Sequence, residues 1–162
     1  MKQAVAVAPA ATPAPLIATI SRANLPRLGE TVPTLGGVFA ALMRGKDESP
    51  DYALIVPTDP RAENPAVIFG GYGKRAEGAD DFTDGLANTL ALVASGIEHP
   101  AAQWARSLTI DGFNDFYLPA SHELRACYLN IPTLFSTDDY YWSSTQYAGY
   151  SDDAWFQYFD YG

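Results

Sequence analysis

Several residues here have types that could carry chemistry. Ser143 and Ser144 sit side by side, with Asp138 and Asp139 just before them. A serine nucleophile needs a base to take its proton. The two histidines, His99 and His122, lie elsewhere in the sequence, so YWSST reads better as a structural strand. Neither histidine has a partner spaced for metal binding or catalysis, and each is expected to flank or start a helix. Cys127 is the only cysteine, which leaves neither an internal disulfide nor a zinc cluster. It falls on the apolar side of a predicted helix, as a small core residue does. Asp111, Asn114 and Asp115 share a turn and are expected to hold backbone groups there. No constellation of acid, base and nucleophile emerges. The expectation is no catalytic residue, no metal and no cofactor.

A different chemistry, contact, is written into the C-terminal stretch YYWSSTQYAGYSDDAWFQYFDYG. It holds six of the ten tyrosines, two tryptophans and two phenylalanines, and it lacks Lys and Arg altogether. Trp155, Gln157 and Phe159 alternate with Phe156, Tyr158 and Asp160. Alternate residues of a strand face opposite sides, so one set can hold a sheet while the other meets solvent. Tyrosine offers large area, few rotatable bonds and a hydroxyl, while Ser, Gly and Asp add adaptable polar contacts. Asp152 and Asp153 read as solvated turn residues, as contacts or as oxygen ligands for calcium.

Elements must position these residues. The 162-residue chain suits one domain, and 48% apolar residues supply a core. A net charge of −9 argues against nucleic acid and anionic membrane as partners, since both need a basic patch. No window approaches a membrane span. Residues 1–28, rich in Ala and Pro, are expected to form a flexible arm or linker, and residues 29–162 the domain. GGVFAALMRG and DYALIVP flank a polar turn and predict a β-hairpin; AVIFGGYG predicts another short strand. TDGLANTLALVASG predicts a helix, with Asp84 as N-cap, Gly96 as stop, and Leu86, Leu90 and Val93 as its apolar stripe, with Leu92 and Ile97 near it. HPAAQWARSL predicts a second helix with Pro100 in its first turn. LPASHELRACYLNI predicts a third, burying Leu124, Cys127, Tyr128 and Ile131 and ending at Pro132. Short strands follow. The fold class expected is α+β.

Five motifs in order then carry a resemblance: DGLANT, HPAAQWA, DGFNDFYLPASHELRACY, YYWSSTQY and AWFQYFDYG. Together they resemble the small C-type-lectin-like domain of phage tail proteins and bacterial surface adhesins, the Legionella collagen-like protein C-terminal type. The similarity covers roughly residues 29–162. Within that family the chain is similar to the variable proteins of diversity-generating retroelements, where a reverse transcriptase misreads template adenines and asparagine codons become other residues. The resemblance implies a C-type-lectin-like fold of small antiparallel sheets with two to three helices. It implies a fixed scaffold of Trp142, Ser143, Ser144, Thr145, Trp155, Gln157 and Phe159, joined by Gln146 and Ala154. The implied variable, ligand-binding set is Tyr147, Ala148, Gly149, Tyr150, Ser151, Asp152, Asp153, Phe156, Tyr158, Asp160 and Tyr161. Every residue type in that set is reachable from an asparagine codon by changing adenines alone.

The implied function is non-enzymatic binding of a host-surface protein or glycan, on a virion tail or cell surface. Other virion or tail proteins would attach through the N-terminal part, and a homo-oligomer is compatible. The alternative is a fixed structural tail module or a non-variable adhesin. The superfamily's E-P-N, Q-P-D and W-N-D sugar-coordinating patterns are absent, so calcium-dependent sugar binding is not expected. Family members usually continue past F-x-x-G with a polar turn and a closing strand that does not follow here, so the expectation is either a sheet with an open edge or a sequence that is part of a longer chain.

Overall fold

The computed structural model describes residues 6–7, 24–147 and 154–160. It is a mixed α+β architecture with small antiparallel sheets and three helices. The expected hairpin forms between β3 (Gly37–Met43) and β4 (Tyr52–Val56), paired antiparallel with Phe39 opposite Ile55. Both strands are rich in apolar residues because both faces of the sheet are covered. Phe39 and Ile55 face one core, and Val38, Leu54 and Val56 face a second. A short strand β2 (Thr31–Val32) extends the β3 edge.

The other neighbour of β4 comes from the expected arm, most of which, residues 1–5 and 8–23, lies outside the described residues. Ala6 and Val7, inside the stretch read as a flexible arm, form strand β1. This strand lies between β4 and β5 (Phe116–Tyr117), giving the order β2-β3-β4-β1-β5. Ala6 is 1% exposed and pairs with Tyr117. Its small side chain and extended backbone, which suit an arm, suit a crowded sheet interior equally well.

Helices cover the two faces. On one lie α1 (Gly85–Ala94) and α2 (Pro100–Ser107), closing over Phe39, Ile55, Phe69 and Phe116. On the other lies α3 (Ser121–Asn130), whose Leu124 and Cys127 join Tyr117, Tyr141 and Phe159. The Asp84 carboxylate caps α1, accepting from the Ala87 N–H at 2.8 Å. The expected stripe on α1 holds only in part: Leu86 is half-buried against the core and Leu92, expected near the stripe, is buried. Leu90 and Val93 are exposed, and Gly85, Asn88, Thr89 and Leu92 are buried. AVIFGGYG is not a strand either. Its backbone is engaged at the start of α2, where the Ala101 N–H donates to the Ile68 carbonyl and the Gly71 N–H to the Glu98 carbonyl. Gly71, at φ +71°, leaves room for His99: a Cβ there would sit 2.3 Å from the imidazole Cε1. No helix among the described residues is long and apolar enough to cross a membrane.

Candidate binding surface

The C-terminal stretch forms a two-stranded antiparallel sheet of β6 (Tyr140–Gln146) and β7 (Ala154–Tyr158). Most of the expected scaffold is anchored. Ser143, Ser144 and Thr145 are fully buried, and Trp142, Gln146, Ala154, Gln157 and Phe159 each expose less than a tenth of their surface. Backbone and side-chain hydrogen bonds to distant segments hold these residues in place. The Ser144 N–H donates to the Pro119 carbonyl at 2.8 Å, and the Gln146 N–H to the Ala79 carbonyl at 2.8 Å. The Thr145 hydroxyl donates to the Asp81 carbonyl at 2.8 Å and accepts from the Ser121 N–H at 3.1 Å. Gln146 Oε1 accepts from the Ala76 N–H at 2.9 Å. Each bond satisfies a buried polar group while fixing one segment to another. The paired serines thus sit inside the fold, with Ser144 receiving Asn88 Nδ2 at 3.3 Å.

Trp155, expected in the scaffold set, is placed at the surface. It is 41% exposed, as is its neighbour Phe156 at 55%, so simple alternation fails at this point. The strand pairing supplies the reason. Trp142 pairs with Phe156 and Gln146 with Ala154, which leaves Ser143, Ser144 and Thr145 on β6 opposite Trp155 alone. Extra residues on one strand kink the ladder and re-aim the side chains beside it. Trp155 consequently meets Tyr147 at 5.2 Å and Phe82 at 6.0 Å between ring centroids, and Phe82 meets His122 at 5.5 Å. The four rings form a row along the surface.

Of the expected variable residues, Tyr147, Phe156 and Asp160 are exposed and Tyr158 is half-buried. The rings of Phe156 and Tyr158 lie 5.1 and 5.7 Å from that of Tyr140, on the β6–β7 face that also carries Trp142. Ala148, Gly149, Tyr150, Ser151, Asp152, Asp153 and Tyr161 lie outside the described residues.

Beneath this surface, Glu123 organises a polar node that residue patterning did not single out. Its side chain is fully buried on α3. One carboxylate oxygen accepts from the hydroxyls of Tyr52 (2.6 Å) and Tyr117 (2.8 Å). The other accepts from the backbone N–H of Ala120 (2.6 Å) and of Gly85 (3.2 Å). Gly85 has to be glycine, since a Cβ would lie 2.3 Å from that second oxygen. Burial pushes the Glu123 carboxyl up to about 7, although the Tyr52, Ala120 and Tyr117 donors pull it down. The only signal for it in the sequence is a Glu three residues after an N-cap position, the reach-back half of a capping box. A second node holds α1: Asn88 Oδ1 accepts from the Asp81 N–H at 3.0 Å and Asn88 Nδ2 donates to the Asp81 carbonyl at 2.6 Å. Asp81 is also paired with Lys46. Thr89 bridges to β5's end, its hydroxyl accepting from the Leu118 N–H at 3.1 Å. Asp84, Gly85, Asn88 and Thr89 of the DGLANT motif each take part in these structural bonds.

The remaining candidates are placed as follows. His99 is buried against Phe69, and burial pushes its pKa down. His122 is exposed, its N–H donating to the Phe82 carbonyl. Cys127 is buried, and burial pushes its thiol up. Among the described residues, no group of three or more His, Cys, Asp or Glu could hold a metal ion. Comparison with protein-family models, with curated proteins and with solved structures finds no match for this chain.

Proposed function

We propose that this chain is a non-enzymatic binding protein with a C-type-lectin-like fold. It would be displayed on a phage tail or cell surface to engage a host-surface protein or glycan. Its contact residues, Tyr147 to Asp153, Phe156, Tyr158, Asp160 and Tyr161, would be exchanged by adenine-directed mutagenesis. One observation carries this reading. Exposed aromatic residues, Tyr147, Trp155 and Phe156, stand on a pair of strands whose intervening residues, Ser143 to Gln146, are buried, with Ser144, Thr145 and Gln146 bonded to the distant stretches 76–81 and 119–121. A surface that tolerates change needs its supports bonded independently of its contacts. Large, low-entropy aromatic anchors suit binding without chemistry, and display in several copies would supply avidity.

The test is a display library randomised at the proposed contact positions within the described residues, Tyr147, Phe156, Tyr158 and Asp160, and selected against an arbitrary folded protein such as lysozyme. Most members should fold, and specific binders should emerge. General loss of folding would mean these residues are core. In the genome, the reading requires a near-duplicate of this segment differing at adenines, beside a reverse transcriptase gene.

A further inference from the structure

Between α3 and β7 lies a cleft of about 590 Å³, lined among others by Phe82, Ser121, His122, Arg125, Trp155 and Gln157. Only part of β7 here belongs to the proposed variable set; the α3 side and Phe82 do not. Three observations define its chemistry. First, its described lining contains Arg125 and no Asp or Glu, in a chain of net charge −9. Second, Arg125 has no carboxylate partner among the described residues and rests over the Tyr128 ring, 4.7 Å from its centroid. A cation held over an aromatic face is positioned without being neutralised. Third, the Ser121 hydroxyl is shielded from solvent with no hydrogen-bond partner among the described residues. Ser121 and Arg125 are four residues apart on α3 and so share a face. Beside these donors stand the half-exposed rings of Trp155 and Phe82.

Resting on the binding role proposed above, we propose that this cleft takes a carboxylate carried on a ring. Arg125 would receive the carboxylate, the Ser121 hydroxyl would turn out from its shielded position to join it, and Trp155 and Phe82 would stack against the ring. A guanidinium fork matches a carboxylate's two oxygens, and an orphaned hydroxyl gains the partner it lacks. A sugar acid and a planar aromatic acid share this chemistry.

The experiment is a titration of the isotope-labelled full chain, followed by nuclear magnetic resonance. The probes are glucuronate, its neutral counterpart glucose, and benzoate. Saturable shifts of the Trp155 indole and Arg125 side-chain signals are expected with at least one acid and not with glucose. Glucuronate alone would mark a sugar acid, and benzoate alone an aromatic one. R125Q should weaken binding by about tenfold or more, R125K less, and W155A should weaken it while keeping the remaining amide spectrum. Silence of both acids, equal response to glucose, or unchanged affinity in R125Q would overturn the proposal. Selection of binders from the contact-position library does not depend on Arg125, so failure here leaves that test to decide the wider reading.

Discussion

At the scale of single residues, Glu123 shows how one carboxyl ties four segments. Its two oxygens serve the side chains of β4 and β5 and the backbone starts of α1 and α3. Glu123→Ala strands those donors in the interior, although Tyr52 keeps the Thr83 carbonyl at 3.1 Å. We expect a loss of about 3–5 kcal/mol in urea unfolding. The pH dependence has a definite sign. The folded-state pKa is about 7 against an ordinary 4.5, so between those values the native protein holds a proton that the unfolded chain has released. Stability from this group is therefore greatest below pH 4.5, falls as pH rises to about 7, and is level above. Relative to E123Q, the wild type should lose up to about 3 kcal/mol across that window. A level profile across that window, with any gain confined to lower pH, would show that the donors keep Glu123 ionised.

At the scale of elements, α1 is oriented by buried polar groups as well as by Leu92. Asn88 clasps the Asp81 backbone in both directions and touches the Ser144 and Thr145 hydroxyls at 3.3 and 3.4 Å. Asn88→Ala should cost about 2–4 kcal/mol, because buried backbone groups of Asp81 lose their partner. Leu90→Ala removes a larger apolar side chain from a position 48% exposed and should cost less than about 1 kcal/mol. Denaturant midpoints of the two variants would compare them directly. Reversed costs would mean that α1 is held by its hydrophobic stripe after all.

At the scale of the molecule, remote segments share one sheet. Ala6 and Val7 lie between β4 and β5, with Val7 opposite both Ile55 and Phe116. Ala6→Asp would bury an unpaired charge in that interior and should cost about 3 kcal/mol or more. The same change at Ala87, exposed in the first turn of α1, should stay within about 0.5 kcal/mol, since a carboxylate suits a helix N-terminus. Thermal unfolding of the pair separates the two cases. Equal, small effects would return residues 6–7 to the role of a detachable arm.

The hairpin of β3 and β4, the three helices, the Asp84 cap and the terminal strand pair were all legible in the linear sequence. Each depends on neighbours a few residues away: turn residues between apolar runs, proline at a first turn, a carboxylate three residues before the N–H it caps. Burial at Ser143 to Gln146 was legible only through the resemblance of its motif. Four features were settled only by tertiary packing. The buried face of α1 is set by Asn88 and Thr89, whose partners lie up to 57 positions away in sequence. AVIFGGYG is kept from a sheet by bonds to the start of α2. Ala6 and Val7 become a strand because a gap between β4 and β5 accepts them. Trp155 is turned to the surface because three residues of β6 face it alone. Apolar periodicity reports which side of an element avoids water. It does not report a polar group satisfied by a distant partner, nor a strand register that shifts within a bulge.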